Sequence, residues 1–133
     1  MPDVSLEKLQ KSYPEFIFKP GQKFSFRPPK TILYKLSEPN FDMLILHELG
    51  HAALGHQTFK TDIERLKMER AAWEQAKILG QQFGIQFDDD FIEGELDTYR
   101  DWLHKKARCR ECGLTRFQSR DGKYHCPHCD NLK

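Results

Sequence analysis

All four cysteines of the chain lie in two Cys-X-X-Cys pairs near its C-terminal end, and thirteen residues separate the pairs. Each pair presents two thiolates from one tight turn, so two pairs complete a tetrahedral four-thiolate site, which is typical of structural zinc. Because a segment of about 25 residues buries too little apolar surface to fold alone, the metal must supply much of its stability. The spacing therefore predicts a zinc ribbon whose ligands are Cys109, Cys112, Cys126 and Cys129. Two disulfides or a redox-active pair are the alternatives.

The residues between the cysteine pairs are predicted to form a β-hairpin. Residues 114–124 contain Asp121-Gly122 as a turn, and Gly113 suits the turn after the first pair. Two histidines, His125 and His128, flank and enter the second pair. We expect both to face solvent, because four thiolates already satisfy the metal; exchange of one histidine for a cysteine ligand is the alternative.

A second metal-binding pattern is the run His47-Glu48-Leu49-Gly50-His51. On an α-helix the side chains at positions i and i+4 share one face, so both imidazoles can bind a single zinc ion. Glu48 then lies beside the metal without being a ligand, where it can accept a proton from zinc-bound water. The alternative is a pair of ordinary helix histidines, which leaves the charge of Glu48 in a mostly apolar helix unexplained.

The neighbouring residues support a helix around this run. The stretch from Phe41 to Leu46 is mostly apolar and contains no Gly or Pro, Asn40 can cap its start, and Gly55 is the expected stop. On a continuous helix His56 would lie about 140° around from His51, at roughly 100° per residue. We therefore interpret His56 as a cap or as a residue that supports the ligands, with ligation as the alternative.

A catalytic zinc usually takes three protein ligands and leaves a fourth position for water, so a third ligand is needed. The helix predicted at residues 61–83 supplies one, because Glu69 falls within its apolar stripe. A buried carboxylate needs a cation or hydrogen bonds to offset its desolvation, and zinc would be that cation. The alternative is an ion pair of Glu69 with Arg65 or Arg70. Other acidic residues nearby are expected on the surface or at caps: Asp62, Glu64 and Glu74.

The run at residues 47–51, followed by a short loop and a helix that carries Glu69-Arg70-Ala71-Ala72-Trp73, resembles the ImmA/IrrE class of small gluzincin-type metallopeptidases. The resemblance covers residues 30–85 and implies that His47, His51 and Glu69 bind zinc and that Glu48 is the general base. Two departures are visible: the segment between His51 and Glu69 is short, and the family's typical Glu-Ala-Asn run is here Glu69-Arg70-Ala71. Known members cleave repressor proteins, often those of phages, mobile elements or stress responses.

The whole chain is predicted to be an α+β protein, in which a short antiparallel sheet packs on the HExxH helix and on the helix with Glu69. The remaining predicted elements are helices at residues 5–12 and 91–106 and strands at residues 16–18, 23–27 and 31–36. The last of these strands either forms an exposed edge that pairs with an extended substrate or lies inside the sheet. Tyr99 either reaches the zinc site or packs in the core, and core packing is favoured. The predicted domains are residues 1–106, zincin-like, and residues 107–133, the ribbon.

The composition, with 38% hydrophobic and 31% charged residues among 133, predicts a soluble globular protein. No apolar run approaches the roughly 20 residues that span a bilayer, and the N-terminus is too charged for a signal peptide. We therefore expect a cytoplasmic protein without membrane contact. A net charge of +1 gives no overall attraction to nucleic acid. Residues 105–133, which include the ribbon, have eight basic and three acidic residues. A four-thiolate zinc site subtracts two charges, so a modest net charge of +3 remains on this segment.

These observations lead to the hypothesis of an intracellular zinc metallopeptidase with one catalytic and one structural zinc per chain. Its substrate would be a protein or peptide, such as a regulator or repressor, hydrolysed by Glu48-assisted attack of zinc-bound water. The first alternative is a non-catalytic zinc-binding module that contacts protein or nucleic acid through the ribbon, with nucleic acid less favoured. The second is an SprT-like protease acting on DNA-bound proteins, although no histidine between Gln57 and Tyr99 is placed to be that family's third ligand.

Overall fold

The computed structural model describes residues 6–56 and 58–130. Within these residues the chain is an α+β protein with four α-helices, a three-stranded sheet and a two-stranded sheet. It divides into two compact units, Met1–Gln57 with Met68–Asp89, and Thr58–Lys67 with Asp90–Lys133. The predicted α+β class and the clustering of the four cysteines are confirmed. The predicted domain boundary after residue 106 stays a prediction, and residues 90–106 group here with the cysteine segment.

The first unit opens with helix α1 (Leu6–Ser12) and a sheet of three short strands, β1 (Ile17–Pro20), β2 (Ser25–Arg27) and β3 (Thr31–Tyr34). The strand order is β1-β3-β2; β2 is antiparallel to β3, whereas β1 is parallel to it. The prediction of an antiparallel sheet is therefore wrong for β1. Because β3 is the central strand, the segment predicted at residues 31–36 lies inside the sheet and is not an edge.

The parallel pairing of β1 follows from a short crossing at one end of the sheet. Pro20 pairs with Tyr34 and Ser25 pairs with Leu33, so β1 ends and β2 begins at the same end of β3. Residues 21–24 need only pass over that end, and the amide of Gly21 donates to the carbonyl of Tyr34 at 2.7 Å. Side-chain alternation along a strand defines its two faces but not the direction of its neighbour, so the sequence pattern did not distinguish these topologies.

Three longer helices follow: α2 (Phe41–Leu54), α3 (Asp62–Gly80) and α4 (Asp89–Ala107). Each lies where the sequence predicted a helix, although α3 ends at Gly80 and continues as a 3-10 turn at Gln81–Phe83. Gly84 terminates that turn with a φ of 68°, in the left-handed region that glycine tolerates best. Among the described residues, no helix combines the length and the apolar character of a bilayer span.

Helix α2 carries the polar run through the interior of the first unit. Eight successive residues from Ile45 to Ala52 are buried, among them His47, Glu48 and His51. Burial on every side of a helix requires neighbours on every side: α2 packs against β2 and β3, and it approaches α3 closely at Gly50. Since ionisable side chains are rarely buried unless they are paired, this run must be stabilised by specific partners.

Gly50 is required by the close approach of α2 and α3. A Cβ atom placed on Gly50 would lie 2.4 Å from the carbonyl oxygen of Ala72, a distance at which the two helix backbones must separate. We expect Gly50→Ala to lower the free energy of unfolding by about 1–3 kcal/mol, as overpacking of a dense core does. The matched control is Gly94→Ala in α4, where an added Cβ meets nothing within 4 Å. That control should raise stability by about 0.5–1 kcal/mol. Denaturant unfolding of both variants measures these changes. A free energy of unfolding for Gly50→Ala equal to that of the wild type would contradict the prediction.

In the second unit, Asp62 at the start of α3 is buried and hydrogen-bonded to three other residues. It is therefore not the surface or capping residue that the sequence predicted. The residue is 4% exposed, and its carboxylate accepts hydrogen bonds from the Tyr124 hydroxyl at 2.5 Å and from Lys106 Nζ at 2.9 Å. Its amide donates to Gln118 Oε1 at 2.6 Å. Burial raises the pKa of Asp62, but these bonds outweigh burial and hold it below its ordinary value. Burial and the bond to Asp62 raise the pKa of Tyr124 to about 12.

The predicted β-hairpin is confirmed in the second unit. Strands β4 (Phe117–Gln118) and β5 (Tyr124–His125) pair antiparallel, and Gly122 in the turn adopts a φ of 89°. Tyr99 belongs to this unit, where the guanidinium of Arg65 lies over its ring, 5.2 Å from the ring centre. The rings of Phe59 and Trp102 face the same guanidinium at 5.5 and 4.9 Å. Tyr99 is half-buried under the guanidinium of Arg65 and is not part of the fully buried core, where the sequence predicted it to pack.

Candidate metal centres

The structure brings His47, His51 and Glu69 together in the first unit. Nε2 of His47 lies 3.0 Å from Glu69 Oε2, and Nε2 of His51 lies 2.7 Å from the same oxygen. The three residues are only 7%, 9% and 9% exposed. Helix α2 supplies both imidazoles from one face, and α3 supplies the carboxylate from its apolar stripe. Within the described residues the partners of Glu69 are therefore the imidazoles, and Arg65 instead lies over aromatic rings.

The distances from Glu69 Oε2 to the two imidazole nitrogens are close to those between ligands of one zinc ion. Ligand atoms about 2.0–2.1 Å from a tetrahedral zinc ion lie roughly 3.3 Å from one another. The two distances from Glu69 Oε2 are shorter than this by a few tenths of an ångström, so a small outward movement of the carboxylate would admit an ion. Two imidazole nitrogens and one carboxylate are also a donor set of catalytic zinc sites.

Two carboxylates lie near the histidines, and their contacts differ. One donor atom each from His47, Glu48 and His51 lies within 4.8 Å of the others, so these three residues, without Glu69, form the group of potential metal ligands in the first unit. However, Glu48 Oε1 approaches His47 at Nδ1, at 3.6 Å, whereas Glu69 contacts Nε2 of both rings. An ion held by both Nε2 atoms would therefore have Glu69 as its nearest carboxylate, with Glu48 beside it.

The surroundings shift the pKa values of the two carboxyl groups in opposite directions. Burial raises the pKa of Glu69, but hydrogen bonds from His47 and His51 outweigh burial and hold that pKa well below its ordinary value. Burial also raises the pKa of Glu48, and here it outweighs the opposing effects of the two histidines and of a backbone hydrogen bond from Phe26. Glu69 is thus favoured in its ionised form, whereas Glu48 takes up a proton more readily than an ordinary glutamate. The backbone hydrogen bond from Phe26 also shows that the outer strand β2 lies beside Glu48.

Two aromatic neighbours fix the imidazole rings. The indole of Trp73 stacks on His47, with the ring centres 4.2 Å apart and the planes within 2° of each other. Trp73 lies one turn after Glu69 on α3, so one helix provides both the carboxylate and the stacking surface. The sequence did not predict this contact of Trp73. On the other ring, Nδ1 of His51 lies 2.9 Å from Nδ1 of His56, and partial burial lowers the pKa of His56.

The four cysteines form the second candidate centre, in the second unit. Their sulfur atoms lie within 4.8 Å of one another; Cys109 Sγ is 3.8 Å from Cys129 Sγ, and Cys112 Sγ is 3.5 Å from Cys126 Sγ. Sulfur ligands about 2.3 Å from a tetrahedral zinc ion are roughly 3.8 Å apart. All four thiols are free, so the disulfide alternative is not what the structure contains. The arrangement is compatible with a four-thiolate zinc site.

Backbone hydrogen bonds shape both cysteine turns. In the first turn the amide of Cys109 donates to Leu114 O at 2.8 Å, and the amide of Gly113, with a φ of 79°, donates to Cys109 O at 2.9 Å. In the second turn the amide of Cys129 donates to Cys126 Sγ at 3.3 Å. Amides of the first turn also lower the pKa of Cys109 to about 7. Such donors favour the thiolate, which is the form that binds metal.

The two histidines beside the second cysteine pair differ from each other. His128 is exposed, as predicted. His125 is half-buried instead, with Nε2 at 3.1 Å from Ser119 Oγ and Nδ1 at 3.6 Å from Asp130 Oδ2. Neither histidine belongs to the sulfur cluster of the described residues, which agrees with the prediction that thiolates alone form this centre.

Comparison of the chain with protein-family models, with curated proteins and with solved structures finds no match. The resemblance to the ImmA/IrrE class therefore stays a prediction based on the residues that carry it.

Proposed function

We propose that the chain is a zinc-dependent metallopeptidase that hydrolyses peptide bonds of a protein substrate. In this proposal His47, His51 and Glu69 hold the catalytic zinc, Glu48 is the general base, and the four cysteines hold a structural zinc. The observation that carries the proposal is the position of the Glu69 carboxylate, which comes from a separate helix and contacts Nε2 of both histidines at 3.0 and 2.7 Å.

The chemistry divides between the ion and the protein. Zinc bound at this position would polarise a peptide carbonyl and lower the pKa of water toward about 7. Glu48 takes the proton from the attacking water and returns it to the leaving amine, which requires a carboxylate beside the ion that is not itself a ligand. Its contact with His47 through Nδ1 rather than Nε2 suits that role. Trp73 stacking and His56 hold the rings in place, so the ligands need little reorganisation.

The outer strand β2 is the proposed docking edge for an extended substrate. Because β3 is central, its backbone groups are occupied on both sides. β2 pairs only on its β3 side among the described residues, and a backbone hydrogen bond links Phe26 of β2 to Glu48. An extended peptide that added to this edge would lie beside the general base. The proposed substrate is therefore a segment without regular structure, and a regulator or repressor protein remains the expectation from the resemblance.

The test is cleavage of a peptide library by the purified chain, with new termini identified by mass spectrometry. The proposal expects cleavage by the zinc-loaded chain, loss of cleavage after the zinc is removed by a chelator, and recovery after zinc is restored. Cleavage that persists unchanged in chelator would contradict the zinc mechanism. No cleavage of the library or of unfolded proteins by a chain with both centres loaded would favour the non-catalytic alternative.

A second candidate function is binding of nucleic acid through the ribbon, and one observation favours it. Five basic residues and three of the four cysteines line a cavity of about 530 Å³; the basic residues are Lys105, Lys106, Arg108, Arg110 and Arg116. Lys106 is paired with Asp62, and Arg116 donates to backbone carbonyls. Lys105, Arg108 and Arg110 are exposed and can contact phosphate groups. Glu111 and Asp130 in the same wall oppose this, so it ranks second.

This candidate is tested by binding of fluorescent single-stranded DNA and RNA to a variant with Lys105, Arg108 and Arg110 changed to Ala. The matched control removes the same charge from three exposed lysines of the first unit, Lys19, Lys23 and Lys35. The candidate expects weaker binding only in the first variant, with a salt dependence reduced by about two in its logarithmic slope. Equal loss in both variants would indicate a non-specific charge effect. Cleavage that DNA stimulates would support the SprT-like alternative.

A further inference from the structure

The imidazole of His51 is held on both sides, and its second partner is a histidine. Nε2 lies 2.7 Å from Glu69 Oε2, and Nδ1 lies 2.9 Å from Nδ1 of His56. The rings of His51 and His56 meet edge to face, with centres 5.1 Å apart and planes at 63°. His56 therefore contacts the side of the His51 ring that faces away from Glu69, and it is placed to act through His51 rather than to bind the same ion.

The end of helix α2 accounts for this position. Gly55, with a φ of 70°, donates its amide to Ala52 O, and the amide of His56 donates to His51 O at 3.0 Å. These two bonds are those of a Schellman motif, in which a left-handed residue folds the chain back over the last helical turn. The fold-back brings His56 next to His51, although the two residues would lie on different faces of a continuous helix.

The proton positions on His51 must differ between the two states of its Nε2 atom. A neutral imidazole has one N–H donor and one acceptor nitrogen. When Nε2 donates to Glu69, Nδ1 of His51 is an acceptor, and His56 must donate to it. When the Nε2 lone pair faces a metal ion, Nδ1 carries the proton, and His56 must accept it. Nδ1 of His56 can donate or accept a hydrogen bond, depending on its tautomer. A lysine ammonium can only donate, and a backbone carbonyl can only accept.

We propose that His56 is a positioning residue for metal binding: it holds the ring of His51 and stabilises the tautomer whose Nε2 lone pair is free for the ion. This inference rests on the assignment of His51 as a zinc ligand in the proposed function. Partners of this kind typically contribute roughly 10–100-fold to metal affinity, because they orient the ligand and raise its basicity.

The experiment measures zinc affinity of the histidine centre by competition with a chromophoric chelator, in chains whose cysteine centre is already loaded. His56→Phe keeps an aromatic ring but removes the hydrogen bond, and it should weaken zinc binding by roughly 10–100-fold. His56→Gln keeps a side chain that can donate or accept, and it should recover most of the loss. The control is His104→Phe, which changes an exposed histidine of the second unit and should leave the affinity unchanged.

A second readout separates positioning from a merely structural role. Nitrogen NMR of the imidazoles in the zinc-loaded chain should show the proton of His51 on Nδ1, and His56→Phe should broaden or shift that signal while the zinc at the cysteine centre stays bound. A wild-type chain that binds two zinc ions, with His56→Phe equal to it in affinity, would overturn this inference alone. A wild-type chain that binds zinc only at the cysteines would overturn the metal site of the proposed function and this inference with it.

Discussion

Replacing Glu48 with Gln is expected to abolish peptide cleavage while both zinc ions remain bound. The amide has nearly the same shape as the carboxylate but cannot accept the proton of the attacking water. Loss of a general acid–base residue typically lowers turnover by roughly 10²–10⁴-fold. Because Glu48 approaches His47 at Nδ1, at 3.6 Å, while Glu69 faces both Nε2 atoms, zinc binding should survive. The measurement combines the peptide-library digest with the zinc content of each preparation.

The matched control for this prediction is Glu74→Gln, the same chemical change at an exposed position of α3. It should leave both cleavage and zinc content at the wild-type level. Equal cleavage by the Glu48→Gln variant and the wild type would show that Glu48 is not the general base. If cleavage and zinc were lost together, Glu48 would instead be a ligand, as its membership of the metal cluster with His47 and His51 would allow.

The second large effect is expected at the cysteine centre, from Cys112→Ser. A four-thiolate site that loses one ligand binds zinc much more weakly, and structural zinc contributes apparent binding energies of about 10–16 kcal/mol in small zinc-binding peptides at neutral pH. Within the described residues the hairpin has only two residues in each strand, too few to persist without the metal. We therefore expect residues 108–130 to lose protection from amide hydrogen exchange in this variant and the zinc of this centre to dissociate.

The control for the cysteine centre is His128→Ala, which changes an exposed residue between two of the ligands. It should keep the zinc and the exchange protection, since His128 lies outside the sulfur cluster. A Cys112→Ser chain that kept a protected hairpin without zinc would show that side-chain packing stabilises this segment. The hydrogen bonds of Asp62 with Tyr124 and of its amide with Gln118 are the contacts that would then be responsible.

The parts of the site that sequence predicted are those that depend on helix periodicity. His47 and His51 share a face because they are four residues apart, and Glu69 faces inward because it lies in an apolar stripe. Each statement concerns residues within one helix, and the backbone fixes the period of a helix. That the stripe of α3 should meet the histidine face of α2 was an inference from the need to offset a buried charge, and the contacts of Glu69 agree with it.

The parts that sequence did not predict depend on where distant segments meet. The direction of β1 is set by which end of β3 the crossing residues reach, and the buried position of Asp62 is set by a hairpin about sixty residues later in the chain. The contact of His56 with His51 agrees with its predicted role in supporting the ligands, but the route to it was not predicted, because the left-handed Gly55 ends the helix and turns the ring back to His51. A glycine predicted to stop a helix could have suggested such a fold-back; nothing local marked Asp62.

In the proposed function, His47, His51 and Glu69 jointly hold one divalent ion. Zinc content per chain tests this assignment most directly, measured on the wild type, on Glu69→Ala and on the exposed control Glu74→Ala. We expect two zinc ions in the wild type and in the control, one per candidate centre, and a single zinc, held by the cysteines, in Glu69→Ala. Two zinc ions retained with unchanged affinity in Glu69→Ala would contradict it.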